Sequence, residues 1–180
     1  MRLFDFKKYD SGIFYREVVL ETNKNIGLQL ADIPLPNGIL RIDRNVSTEK
    51  VEWRLGHYAL PMVSGAIKEQ RRKIRGHEVR IIDNGVYQLA MVVLNGPDDL
   101  EVVAANGLNP VSRESKVINL SGKFEPGHDD LCVVLMLWKR SGRQWTDNEL
   151  IPVSRILRSG TGNKITIVLS NGEKKIVHFE

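Results

Sequence analysis

HEVRIIDNGVYQLAMVVL, residues 77–94, reads as two β-strands joined by one tight turn. Asn84-Gly85 is the strongest kind of short-range hairpin signal a sequence offers, because a two-residue type I′ loop needs positive φ at both positions and Asn and Gly tolerate it best. That loop predicts Asp83 opposite Val86, with pairs Ile82–Tyr87, Arg80–Leu89 and Val79–Ala90. One face then gathers Val79, Ile81, Ala90 and Val92. The other gathers Ile82, Tyr87, Leu89, Met91 and Val93. The second strand is apolar on both faces, so it belongs inside a sheet covered on both sides.

Working outward, the same texture fills the chain. Strand-like runs cover residues 3–7, 12–21, 26–33 and 38–43, with Pro34-Leu35-Pro36-Asn37-Gly38 enforcing a turn between the last two. Val51 to Leu60 alternates, placing Val51, Trp53, Leu55, His57 and Ala59 on one face and Tyr58 on the other. Ile67 to Arg75 fits either a short exposed helix or a polar edge strand. Further strands are expected at 100–105, 116–124, 131–139 and 151–157, the last set at an edge by Pro152. Leu131 to Lys139, LCVVLMLWK, is a second strand apolar on both faces. Thr146 and Glu149 have the spacing of a capping box, which predicts one helical turn there. A closing hairpin flanks Ser170-Asn171-Gly172-Glu173, with Ile176 and His178 expected on the face of Ile165, Ile167 and Leu169. About a dozen short strands with turn signals every 8–12 residues predict an all-β fold, an antiparallel β-sandwich with little helix, formed as one domain over 1–180 from two packed sheets. The hairpin and the 131–138 strand should be its middle, in facing or adjoining sheets.

Composition bounds the function without choosing it. A net charge of +4 permits an anionic partner and does not demand one. No apolar run reaches the roughly 20 residues of a membrane helix. The N-terminus lacks a signal-peptide core, so the compartment is undetermined, with the cytoplasm as the default and an excised fragment as the alternative. Cys132 is alone and reads as a buried small hydrophobe. Walker A, dinucleotide, HExxH and G-x-S-x-G motifs are absent, and the Gly-rich run 159–163 leads into a strand, so it reads as a plain turn. Neither a cofactor nor a metal is expected. His57, His77, His128 and His178 have no metal-ligand spacing, although Asp129 or Asp130 could join His128 in a site drawn from several strands. The acidic pairs Asp98-Asp99 and Asp129-Asp130 read as solvated turn residues. His57-Tyr58 could move protons, but adjacent strand residues point to opposite faces.

Two constellations stand out. Lys68, Arg71, Arg72, Lys73, Arg75 and Arg80 form a basic patch that suits phosphates or acidic polysaccharide, or else a charged edge that resists pairing. It holds no aromatics, which argues against single-stranded nucleic acid. The second is Trp138, Lys139, Arg140, Arg143 and Trp145, in which two indoles bracket three cations across a turn. Trp stacks on sugar rings and Arg pairs with carboxylate or sulfate, so this is the expected ligand-binding group. In the alternative reading the two indoles close the core.

The runs RLGHYALP (54–61), VRIIDNGVYQLAMVVLNGPDDLEVV (79–103), GLNPVSRESKVINLSGKF (107–124) and VVLMLWKRSGRQWTDNELIPV (133–153) together resemble the C-terminal β-sandwich part of heparinase-like bacterial polysaccharide-degrading proteins. Those proteins join a helical toroid to an antiparallel β-region, and this chain has almost no helix. None of the family's catalytic residues matches a position here. The resemblance implies at most carbohydrate association, through an accessory or stand-alone β-module. Joined to the Trp138–Trp145 turn and the basic excess, it gives the expected function: a non-catalytic module, binding or accessory to a carbohydrate-active protein, with an acidic glycan or a partner domain as its contact. Two alternatives accompany it: a polysaccharide lyase or hydrolase using His57 or Tyr58, and an assembly protein acting through its sheet edges. No membrane partner is expected.

Overall fold

The computed structural model describes residues 2–8, 12–20, 23–59, 67–96, 99–104, 115–125, 131–160 and 163–179. His128, Asp98, Asp129 and Asp130 lie outside them. The described chain is antiparallel β throughout, apart from one helical turn. Its strands are β1 (Arg2–Lys8), β2 (Phe14–Leu20), β3 (Asn23–Leu35), β4 (Gly38–Asn45), β5 (Val51–Ala59), β6 (Lys68–Ile74), β7 (His77–Asp83), β8 (Tyr87–Asn95), β9 (Leu100–Ala104), β10 (Lys116–Phe124), β11 (Leu131–Arg140), β12 (Val153–Arg158), β13 (Lys164–Leu169) and β14 (Lys174–His178), with α1 (Asp147–Leu150) between β11 and β12. Among the described residues, no helix is long and apolar enough to cross a membrane.

The strands form three sheets where the sequence suggested two. An eight-stranded sheet runs β1-β2-β3-β4-β11-β8-β7-β6, and β5-β10-β9 and β12-β13-β14 form two small ones. The reason lies in the doubly apolar strands. On β11, Val133, Leu135 and Leu137 enter a core shared with Ile165, Ile167, Val177 and Trp145. The alternate residues Cys132, Val134 and Met136 enter a second core with Trp53, Leu55, Ile118, Leu120 and Phe124. A strand buried on both faces needs a layer on each, so the large sheet is covered on one face by β12-β13-β14 and on the other by β5-β10-β9. β8 and β11 are neighbours in the same sheet, with Leu135 opposite Val92 and Trp138 opposite Leu89.

The register of the 77–94 hairpin departs from the expectation by two residues. Asp83 pairs with Gln88, Ile82 with Leu89 and Val79 with Val92. Positive φ occurs at Gly85 and not at Asn84, so no type I′ turn forms there. Instead the Asn84 side chain accepts from the N–H groups of Val86 and Tyr87, at 3.0 and 2.7 Å, and Asp83 Oδ1 accepts from the Gly85 N–H at 2.8 Å. These side-chain bonds hold a wider loop, a known competitor of backbone pairing. A slip of two preserves side-chain parity, so the two faces sort as the pattern predicts. The two-residue turn with both φ positive sits at Arg75-Gly76, φ 50° and 86°, between Ile74 and its partner His77. There the pairing of β6 with β7 imposes a conformation that Arg rarely adopts.

Residues 68–74 form the edge strand, not a helix. The capping box at Thr146 is present in both directions. In the closing hairpin, Ile176 pairs with Thr166 and is 42% exposed, while Val177 pairs with Ile165 and is buried. Ile176 and His178 therefore face away from Ile165 and Ile167. The loop of 170–173 sets a register one residue from the expected one, which moves every side chain of β14 to the opposite face.

Candidate functional site

The turn after β11 was expected to present five residues together, and the structure divides them. Odd-numbered β11 residues point to the β12-β13-β14 side, and Lys139 follows that parity. Its ammonium donates to Glu149 Oε1 and Oε2 at 2.7 and 2.9 Å and to the Gln144 carbonyl at 2.7 Å. It also lies 5.1 Å from the Trp145 ring centroid. Three donors are all an ammonium has, so Lys139 is committed within the fold. Glu149 responds in kind. The Lys139 hydrogen bond, then the Thr146 N–H, brings its carboxyl down to about 2. Trp145 is 6% exposed and belongs to the core.

Trp138 and Arg140 point the other way, toward the β5-β10-β9 side, at an end of the strands which that sheet leaves open. Trp138 is 40% exposed, and Arg140 is exposed as well. In register, Trp138 lies opposite Leu89 and Arg140 opposite Tyr87, itself 41% exposed. Trp138 and Tyr87 are thus diagonal neighbours on one face, about 7 Å apart. Arg143, exposed, follows in the turn. Tyr87 is the residue of this candidate corner that sequence reasoning missed. Its face was legible, but its neighbour was not, because nothing in the sequence pairs β8 with β11.

The turn is fixed to the hairpin loop. Ser141 Oγ donates to both oxygens of Asp83 at 2.7 and 2.9 Å, and the Ser141 N–H donates to the Val86 carbonyl at 2.8 Å. Burial raises the Asp83 carboxyl, but bonds from Gly85, Ser141 and Gln88, with Lys68 nearby, outweigh it and hold the group below its ordinary range. The hairpin loop leading into Tyr87 and the turn that carries Arg143 are therefore tied to each other.

The basic patch is divided as well. On β6 and β7, Arg71 lies opposite Arg80 on one sheet face, beside Lys73, whereas Lys68 and Arg72 occupy the other. Glu78 accepts from Arg71 and Arg80, each at 3.0 Å. Arg75, in the turn, bonds Asn148. The residues of the patch are surface residues, yet strand alternation distributes them over two faces of a charged edge.

His57 and Tyr58 point to opposite faces, as the alternation requires. Tyr58 is 53% exposed. Burial pushes the His57 imidazole down to about 4, and its Nε2 has no hydrogen-bond partner. The arrangement gives the pair no common substrate atom. His77 Nδ1 is engaged with the Val93 carbonyl at 2.9 Å. Among the described residues, no three His, Cys, Asp or Glu side chains are grouped to hold a metal. A cleft of about 300 Å³ between Leu35, Pro36, Leu137 and Pro152 is rimmed by Glu149 and Glu173, a poor setting for an anion.

No family model matches the chain, and no curated protein matches it. Solved structures do. A heparinase III matches with a TM-score of 0.54 at 12% identity, over 99% of this chain and 27% of the other. A heparan sulfate lyase from Pedobacter heparinus matches with a TM-score of 0.49 at 13% identity, over 99% and 27%. The heparinase III match identifies a shared fold, and it extends beyond the residues 50–155 that carry the resemblance in sequence. This chain spans about a quarter of the length of the structures it matches.

Proposed function

We propose that this chain is a non-catalytic β-module that binds an acidic glycan through Trp138, Tyr87 and Arg140, with Arg143 at the margin. The observation that carries it is the register of β8 with β11. That register puts two exposed aromatic rings and a guanidinium together at one corner of the sheet face on the β5-β10-β9 side. Aromatic rings offer flat apolar surface to the faces of sugar rings, and a guanidinium fits a carboxylate or sulfate with two parallel hydrogen bonds. The clasp between Asp83 and Ser141 preorganises the corner, which lowers the entropy lost on binding. The fold shared with part of a heparinase III supports a carbohydrate setting.

Calorimetric titration with size-defined heparin-derived oligosaccharides, against neutral oligosaccharides of equal length, tests the reading. Trp138→Ala and Arg140→Ala should each weaken binding at least ~10-fold, the scale of a lost stacking or charge-assisted contact. Unchanged affinity in both variants would remove this corner as the site. An absence of binding by the wild-type chain would remove the glycan.

A further inference from the structure

The outer face of the β12-β13-β14 sheet is a second surface, on the opposite side of the molecule from Trp138, and it does not depend on the glycan reading. Leu157 lies opposite Thr166, and Thr166 opposite Ile176, so the three form one row across the sheet. Leu157 is 51% exposed and Ile176 42%. Two residues away along the strands on one side are Arg155 and Lys174, both aligned with Val168, and on the other side is Lys164. All three cations are exposed. The strands read VSRILR, KITIVL and KKIVH, with no carboxylate and no Phe, Tyr or Trp.

We infer that this face docks an acidic amphipathic helix of a partner protein. Three antiparallel strands place Leu157 and Ile176 about 10 Å apart. Residues i and i+7 of a helix are separated by nearly the same distance, ~10.5 Å. A helix lying across the strands would thus set apolar side chains at i, i+3 or i+4, and i+7 along the row. The flanking cations stand ~7 Å to either side, close to the ~5–6 Å radius of a helix with its side chains. Carboxylates on both flanks of the helix would meet them. An apolar centre with a charged rim is the usual anatomy of a docking surface. Other occupants fit less well. Facing a second copy of the same surface opposes like charges. A membrane interface favours Trp and Tyr anchors, and a sugar needs a stacking ring; the three strands supply neither.

The test uses a synthetic helix of about 14 residues, ~21 Å long, with Leu at i, i+3 and i+7 and Glu on both flanks. Binding is followed through the backbone amide resonances of the isotope-labelled chain at physiological salt. Saturable shifts confined to residues 153–178 are expected, absent with a shuffled peptide. Leu157→Ser with Ile176→Ser should abolish them. Arg155→Glu with Lys174→Glu should weaken the Glu peptide at least tenfold and confer binding of its Lys counterpart. These positions are exposed, so the variants should keep the wild-type melting temperature. The inference is overturned if the shuffled peptide binds equally or if the charge swap leaves the preference unchanged. It is also overturned if the shifts arise with phosphatidylserine vesicles or heparin oligosaccharides and not with the helix, which would make the face a lipid or glycan surface.

Discussion

Trp138 and Trp145 flank the same turn, seven residues apart, and have opposite fates. Trp138 stands 40% exposed on the β5-β10-β9 side, and Trp145 is 6% exposed in the other core. Parity on β11 directs the first. The second is fixed by the path of the chain after the strand, where α1 begins at its Thr146 cap and Lys139 closes over the indole. The same division separates Lys139 from Arg140 and His57 from Tyr58. Chemistry that looks clustered in sequence is sorted by strand alternation into a half that holds the fold and a half that faces solvent.

The comparison predicts a graded series. Trp145→Ala should be the most damaging change, destabilising by about 3–5 kcal/mol through the cavity it leaves, and denaturant unfolding would measure it. A loss below ~1 kcal/mol would mean that Trp145 is not a core residue. His57 should come next. Its pKa is held at about 4 against 6.5 when unfolded, so the unfolded chain takes up its proton first as pH falls. Its contribution is complete above pH 6.5 and is lost on descending toward pH 4. Its size is about 2 kcal/mol, allowing for partial exposure. His57→Leu should flatten the stability profile in that window; an unchanged profile would assign the acid sensitivity elsewhere. Trp138→Ala should be the mildest for stability, within ~1 kcal/mol, its cost falling on the proposed glycan binding. Large destabilisation by Trp138→Ala would erase the contrast from which the series starts.

Much of this was legible beforehand. The face assignments of residues 79–93 survived a register two residues from the expected one, because side-chain parity has a period of two. The closing hairpin shows the limit of that protection. A slip of one residue turned Ile176 outward and Val177 inward, and so created the surface on which the helix inference rests. The candidate ligand group is divided for the same kind of reason. Trp138, Arg140 and Arg143 are at the surface, but the burial of Trp145 and the three bonds of Lys139 depend on Glu149 and Gln144, which reach it only once the turn folds back.

By itself, the sequence determined the all-β class, the two strands apolar on both faces, the edge character of 68–74 as one of two readings, and the capping box. These are local patterns, set by alternation, turn chemistry and side-chain reach over a few residues. The tertiary structure alone decided that there are three layers, that β8 and β11 lie side by side, and that Tyr87 joins Trp138 and Arg140. Pairing between strands some 50 residues apart is chosen by the burial of both faces of the central sheet at once, a property of the whole chain that no short window of it contains.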